Sequence, residues 1–380
     1  MKVALVAESF LPHQSGVTHT LLRIIDHLAE RGDEAMVIAP ESSGSEGPSR
    51  YGIASITRLP AMGWPGYSGV RVALSGVGKM SRTLEEYGPD VVHLASPFTL
   101  GWTAVRAANE LDLPCVAVYQ TEIPSYADKY RVGWSEQILW NRVLNIHERA
   151  ELNLVPSTYA LRQLELLGVP RLRIWPRGVD TDRFSPARRD GALRQAWAPH
   201  GEVVVGYVGR LAAEKRVEDL VAVAQIPGVS LVVVGDGPER ARLESLLPQG
   251  HFTGQLGGDE LANAFATFDI FVAPGELETF GQTLQEALAS GVPVVAPRRG
   301  GPIDIVTPES TGYLYEPGDL AGLVAAITEL ADDPELRKSM ADAARTWVAG
   351  RTWFSVCEQL VDYYGDAARE RARTNANGSP

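Results

Sequence analysis

Cysteine is scarce: Cys115 and Cys357 are the only two in 380 residues, and they match no metal or redox spacing. A disulfide framework is excluded, a reducing compartment fits, and both thiols are expected to be structural. Long uncharged runs are also missing. No segment approaches the ~18 apolar residues that a membrane-spanning helix needs. The apolar run after Met1 is too short for a signal peptide and ends at Glu8. The expectation is a cytoplasmic protein, at most peripheral at the inner face of a membrane. Basic charge is short as well. The net charge is −12; residues 1–187 carry 18 Lys/Arg against 20 Asp/Glu, and the rest carry 17 against 27. Nucleic-acid binding needs a basic face, and none is present. Finally, no G-x-G-x-x-G follows the first strand candidate, Val3–Ala7, which argues against a nicotinamide dehydrogenase.

What is present is a repeated alternation of buried strands and helices. Val3–Ala7 reads as a strand buried on both faces; a helix carrying Leu21, Leu22, Ile24, Ile25 and Leu28 follows, then the strand Ala35–Ala39. Val91–Leu94, Cys115–Tyr119 and Leu152–Val155 continue the series. It restarts at Val203–Val208 and goes on through Leu231–Val234, Ile270–Ala273 and Val292–Ala296. Such alternation predicts parallel sheets with helices on both faces. The chain exceeds what one core usually covers. We therefore expect two Rossmann-like α/β domains with a cleft between them. The polar, Pro-containing stretch 184–190 is the expected linker, so the domains run 1–187 and 188–352. A final helix over about 353–373 is assigned back to the first domain, and 374–380 reads as a disordered tail.

The densest chemical signal is Gly275-Glu276-Leu277-Glu278-Thr279-Phe280-Gly281-Gln282-Thr283-Leu284-Gln285-Glu286. A strand ends just before it and a helix begins near Gln282. Unpaired N–H groups and the positive helix dipole there suit a diphosphate or sugar oxygens. Leu284, Ala287 and Leu288 form the buried stripe, so Glu286 points elsewhere. Glu278 and Glu286 can each accept hydrogen bonds from a vicinal diol; the plain alternative is a solvated loop charge and a helix charge. Gly209-Arg210-Leu211-Ala212-Ala213-Glu214-Lys215 follows the buried strand Val203–Val208. Arg210 can fork onto two phosphate oxygens and Lys215 adds a point charge, which helps most where negative charge develops on a leaving diphosphate. Surface basic residues are the alternative.

Order and spacing together resemble family-4 retaining glycosyltransferases of the GT-B type over almost the entire chain. The carrying elements are the E-x7-E pair Glu278 and Glu286 with Phe280-Gly281, the G-R-L-x-x-x-K clamp ending at Lys215, and the V-G-x-G-P turn Val234-Gly235-Asp236-Gly237-Pro238. Arg177-Gly178-Val179-Asp180 and Ala289-Ser290-Gly291-Val292-Pro293 add to them. Within the family, Phe10-Leu11-Pro12, Tyr119-Gln120-Thr121-Glu122 and Trp175-Pro176-Arg177-Gly178-Val179-Asp180 look most like actinobacterial GDP-mannose-dependent α-mannosyltransferases.

That resemblance implies a nucleotide-sugar donor, GDP-mannose, and a glycolipid or lipoglycan-precursor acceptor, with retention of anomeric configuration. It implies catalytic roles for Arg210, Lys215, Glu278 and Gln120. Donor contacts fall to Gly16, Gly209, Arg210, Lys215, Asp236, Gln255, Leu256, Asp259, Glu278, Thr279, Phe280, Gly281, Gln282, Thr283 and Glu286. Base choice is assigned to Leu256 and a carboxylate from Asp259 or Glu260, which could equally be the exposed start of a helix. Gln120 stands where many relatives have histidine and cannot act as a general base. Ser15 stands where the family has a first glycine before Gly16. His93 is expected to be structural rather than catalytic. No cofactor and no metal is expected: Asp180-Thr181-Asp182 has the letters of a metal pair but reads as a capping turn. Trp64, Tyr67, Tyr126, Tyr130 and Trp134 are candidates for an acceptor groove or a membrane interface, or are core aromatics. A UDP-sugar-dependent glycolipid glycosyltransferase (glucosyl or sulfoquinovosyl) and a non-catalytic nucleotide-sugar binding protein are the competing readings. The sequence sets no oligomeric state.

Overall fold

The computed structural model describes residues 1–13, 15–42, 47–63, 71–120 and 133–377, with residues 133–139 described as helix backbone alone. Trp64, Tyr67, Tyr126 and Tyr130, the side chain of Trp134, and Thr121–Glu122 lie outside the described residues. The chain divides into two units, Met1–Pro176 with Val356–Pro380, and Arg177–Ser355.

In the first unit, strands β1 (Lys2–Val6), β2 (Glu34–Pro40), β3 (Arg50–Tyr51) and β4 (Ala54–Leu59) are followed by the hairpin β5 (Ala61–Gly63) and β6 (Arg71–Ala73). Then come β7 (Val91–Leu94), β8 (Cys115–Val118), β9 (Leu152–Val155) and β10 (Leu172–Ile174). Among the described residues, eight of these form one sheet in the order β10-β9-β8-β7-β1-β2-β4-β3, parallel except for β3 against β4. Central strands are buried on both faces because helices cover both; every residue of β7, β8 and β9 is buried. The helix Gly16–Arg31 starts at Ser15, whose Oγ accepts the Thr18 N–H at 3.1 Å. It ends at Gly32, which takes the left-handed φ of 74° that a side chain disfavours.

The second unit holds β11 (Val203–Val208), β12 (Val229–Val234), β13 (His251–Gly254), β14 (Ile270–Val272), β15 (Val294–Pro297) and β16 (Gly312–Tyr315). They form an all-parallel sheet ordered β13-β12-β11-β14-β15-β16. The strand order reverses between β11 and β14, so the loops leaving their carboxyl ends diverge and open a crevice.

Two boundaries differ from expectation. The stretch 184–190 is integral to the second unit rather than a linker. Phe184 is buried edge-on against Phe265, ring centroids 5.6 Å apart. Asp190 caps the helix Gly191–Trp197, and its own N–H donates to Thr267 Oγ1 at 3.1 Å. The helix Trp353–Asn377 also outruns the expected 373, so residues 374–377 are helical and not a disordered tail. Its polar end is pinned: Arg371 reaches Glu151 at 2.8 Å and Asp112 at 2.9 Å, and Asn375 donates to Asp112 at 2.5 Å.

From Val356 onward that helix packs within the first unit. Trp175 Nε1 donates to Val356 O at 2.9 Å, and Glu358 meets His27 at 2.8 Å and Arg31 at 2.6 Å. Buried Tyr364 bonds His93 Nδ1 at 2.9 Å. His93 is thus a core residue. Both cysteines are buried free thiols. Among the described residues, no helix is long and apolar enough to cross a membrane.

Loss of hydration pushes His93 down to about 3 and His147 down to about 4. Both have ordinary values near 6.5, so the unfolded chain binds protons that the folded chain refuses. Their stabilisation is complete above pH ~6.5 and drains as pH falls through that window. Melting curves of wild type and His93→Gln between pH 4 and 7.5 should show a steep acid decline in the former and a shallower one in the latter.

Candidate functional site

The crevice of the second unit is built by backbone before side chains. After β11, Gly209 and Leu211 run beside the turn after β12. Leu211 N donates to Asp236 O at 2.9 Å, and Glu239 N donates to Leu211 O at 3.0 Å. The approach is so close that a Cβ on Gly235 would sit 1.9 Å from Gly209 O, and one on Gly237 2.3 Å from Leu211 O. Gly235 also has φ 137°, which an L side chain disfavours. The V-G-x-G-P turn therefore needs both glycines to lie against the clamp loop. Gly300 and Gly301, after β15, perform the same service for the loop after β14. A Cβ there would meet Glu278 O at 2.4 Å and Phe280 O at 1.9 Å, and Gly301 N donates to Glu278 O at 2.7 Å.

On this frame Lys215 Nζ touches Glu278 Oε1, with side chains 26% and 25% exposed. The cation comes from the loop after β11 and the acid from the loop after β14, so the contact straddles the reversal point of the sheet. Glu276 in the same loop is braced by Arg299 at 3.2 Å and Arg216 at 3.6 Å; Arg216 also bonds Asp219 at 2.8 Å. Tyr207 OH donates to Arg210 O at 3.1 Å beneath the clamp. The Arg210 side chain is exposed at the rim of this loop.

The helix Gln282–Ala289 opens at Gly281, φ 99°, and Phe280 is buried beneath it. Its two glutamines lace it to the start of the unit. Gln282 Nε2 donates to Gly178 O and Gln285 Nε2 to Arg177 O, both at 3.1 Å. Gln282 Oε1 is buried with no hydrogen-bond partner. Glu286, one turn on, keeps some accessible surface, yet lost hydration pushes its carboxyl up to about 8 against the pull of Arg177 and Arg183. Arg177 is pushed down to about 10 by burial, opposed by attraction from Glu278 and Glu286. Sequence reasoning gave Arg177 a motif letter and no role.

Thr279 and Thr283 flank these groups and are partly buried. Asp236 is exposed and accepts from its neighbour Gly237 N at 2.7 Å. Gln255 is exposed after β13, while Leu256 packs against the core. Asp259 lies 3.3 Å from Arg188 in a solvent-exposed ion pair, a contact worth little and easily exchanged. Asp180 Oδ1 accepts from Arg183 N at 3.0 Å, a turn-capping bond.

The remaining candidates lie in the first unit. Gly16 is exposed at the first turn of its helix, and Ser15 serves as the cap. Gln120 is buried past the end of β8, Nε2 donating to Ala95 O at 3.0 Å. That unit also reverses its strand order, between β1 and β7. There Glu8 accepts from Leu100 N (2.7 Å), Gly101 N (3.0 Å) and Thr99 Oγ1 (3.1 Å), tying the loop after β1 to the first turn of the helix Thr99–Glu110 that follows β7. Sequence reasoning saw Glu8 only as an interruption of an apolar run.

Two family profiles divide the chain: "Glycosyltransferase Family 4" matches residues 14–183 and "Glycosyl transferases group 1" matches residues 191–347. A GDP-mannose-dependent alpha-mannosyltransferase of Mycolicibacterium smegmatis is 44% identical, over 96% of this chain and 97% of the relative. The chain belongs to glycosyltransferase family 4. The glycosyltransferase is also 33% identical to the sulfoquinovosyl transferase SQD2 of Arabidopsis thaliana, over 97% of this chain and 74% of that one. The solved sucrose-phosphate synthase of Thermosynechococcus elongatus shares its fold. The TM-score is 0.79 at 23% identity, covering 96% of this chain and 98% of the other. The fold is GT-B, built from two Rossmann-like units.

The raised carboxyl of Glu286 has a thermodynamic consequence. The folded glycosyltransferase holds a proton there that the unfolded chain releases from pH ~4.5 upward. The associated stability is complete below that pH and is lost as pH rises towards about 8. Glu286→Gln is neutral throughout, so its melting temperature should fall less than wild type's between pH 5 and pH 8.5.

Proposed function

We propose that this glycosyltransferase moves mannose from GDP-mannose to a glycolipid or lipoglycan-precursor acceptor, with retention at the anomeric carbon and without a metal ion. The observation that carries the transfer chemistry is the Lys215–Glu278 contact across the sheet's reversal point. Ligands of open α/β sheets lie at such points, outside the strand carboxyl ends. A cation held there meets the diphosphate of a nucleotide sugar.

The bond that breaks joins the sugar C1 to the β-phosphate oxygen, which leaves with the electron pair. The bond that forms joins C1 to the acceptor oxygen, whose proton passes to the departing phosphate. No side-chain base is needed, which agrees with Gln120, an amide, at its position. Lys215 and Arg210 stabilise the growing phosphate charge. The N–H groups at the start of the helix Gln282–Ala289 add their dipole, with Gly281, Thr279, Phe280 and Thr283 shaping the approach. Glu278 accepts from sugar hydroxyls and Glu286 from the ribose. Gln282 Oε1, a buried acceptor without a partner, suits a donor hydroxyl. Gly16 and Gly209 allow close backbone approach. Gln255, Leu256 and Asp259 meet the base, and Asp236 closes the turn beside the clamp. The guanine assignment is supported by the name of the Mycolicibacterium smegmatis relative; the Arabidopsis thaliana relative supports a sulfoquinovosyl donor instead. Contact with the inner face of the plasma membrane, where a lipid acceptor resides, belongs to the same reading.

Calorimetry against GDP-mannose, GDP-glucose, UDP-glucose and UDP-sulfoquinovose is the test. Selective heat with GDP-mannose is expected; equal or tighter UDP-sugar binding would overturn the donor assignment. With a competent acceptor, Lys215→Ala should lower kcat about 10²–10³-fold, the scale of a lost electrostatic contact to a developing anion. Arg210→Ala, at the rim, should also depress turnover. Near-normal rates in both variants would remove the clamp.

A further inference from the structure

We propose that Tyr207 is a positioning residue of the phosphate clamp: its hydroxyl fixes the stretch of backbone that aims Arg210. The proposal rests on the assignment of Arg210 to the leaving diphosphate made above.

The two cations of the clamp are held by different means. Lys215 has its ammonium against Glu278, so a side-chain contact directs it. The Arg210 side chain is exposed and forms no ion pair among the described residues. Its direction is therefore set at its base, by the loop backbone. The residues on either side are fastened: Gly209 N donates to Val234 O at 3.0 Å and Leu211 N to Asp236 O at 2.9 Å. Between them, Arg210 O accepts two hydrogen bonds, one from Ala212 N and one from the Tyr207 hydroxyl, both at 3.1 Å. The Ala212 bond lies within the loop and moves with it. The Tyr207 bond comes from β11 and ties the Arg210 peptide to the sheet.

Tyr207 is a rigid anchor for that peptide. It is 2% exposed, in the core that also holds Val205, Leu211, Leu231 and Val233. Leu211, the residue after Arg210, is thus packed in the same core as the phenol that bonds Arg210 O. Gly209 leaves the space the phenol needs: a Cβ there would lie 2.6 Å from Oη and 3.0 Å from Cζ. The bare Cα at the first letter of the clamp motif is therefore a condition of the Tyr207–Arg210 bond. Burial first, then the charges of Glu278 and Glu214, push the phenol up, so it keeps its proton and remains a donor. A phenylalanine would keep the ring and leave Arg210 O with its local bond alone. The long Arg210 chain, already free at its tip, would then gain freedom at its base. A cation that must be reoriented stabilises phosphate charge less than one already in place.

The test compares GDP with GMP, which lacks the β-phosphate that the clamp serves, so no acceptor is needed. Should the calorimetry above favour a uridine donor, UDP and UMP take their places. Tyr207→Phe should weaken GDP about threefold to tenfold, the weight of one neutral hydrogen bond, and leave GMP unchanged. General loosening of the fold would weaken both nucleotides alike. In an Arg210→Ala background the same change should cost nothing further, because Tyr207 acts through Arg210. Equal losses for GDP and GMP would overturn the proposal, as would a loss that persists in full once Arg210 is gone. Should Tyr207→Phe not fold, Tyr207→Leu takes the same readings. A wild type that prefers GDP, with Tyr207→Phe indistinguishable from it, sinks the role of Tyr207 and spares the clamp. A wild type that binds GDP no more tightly than GMP sinks the clamp itself, and the proposal with it.

Discussion

A single cation, Lys215, meeting an acid from across the reversal point of the sheet is the contact on which the chemistry proposed for the second unit rests. Parallel strands deliver every loop to the same edge, but only at the reversal between β11 and β14 do neighbouring loops part widely enough to admit a ligand. Lys215 and Glu278 define the two walls of that opening. Everything around them reduces their freedom. The glycines of two turns permit backbone approach that any side chain would block, and the Arg216–Glu276–Arg299 network stiffens the acid-bearing loop from outside. Preorganisation of this kind matters because a fixed charge need not be reoriented while the leaving group develops its own.

The strands were legible because burial on both faces writes them as continuous apolar runs; Val203–Val208 and Cys115–Val118 leave no polar alternation to misread. The motif residues were legible as an ordered series, since each glycine and charge recurs at a strand end. What escaped depends on tertiary partners. Phe184 sits between Arg183 and Ser185-Pro186, a composition typical of linkers, and only the Phe265 ring reveals it as core. Asn375 looks like part of a solvated tail until Asp112 is placed beneath it. Gln285 is a polar residue on a helix yet wholly buried, because the carbonyls of Arg177 and Arg351 supply its partners. No periodicity marks such a residue.

The first unit departs from its family's letters at two positions, and in each case the chemistry has a local reason. Ser15, where a glycine is usual, caps the helix that Gly16 begins, so the loop gains a side-chain bond to Thr18 and gives up some backbone freedom. Gln120, where a histidine is usual, spends its amide on Ala95 O at the end of a buried strand. An amide there can orient a hydroxyl but titrates with nothing. A reaction whose acceptor proton goes to the departing phosphate tolerates that exchange; one relying on a side-chain base at this point would not.

The acidic balance of residues 188–380, 17 basic against 27 acidic, is at odds with an anionic donor only if charge is summed over the whole surface. At physiological ionic strength an exposed charge is screened over about 8 Å, so acids on distant helices contribute little at the crevice. Near the crevice, Arg177, Arg183, Arg210, Lys215 and Arg216 are interleaved with Glu214, Asp219, Glu276, Glu278 and Glu286 on the segments that line or support it. Glu286 carries less than a full negative charge near neutral pH because burial favours its protonated form. Buried charge is felt most strongly where water is least available to screen it. Where each fixed charge is held therefore matters more at the crevice than the net charge, and the overall charge is free to serve solubility.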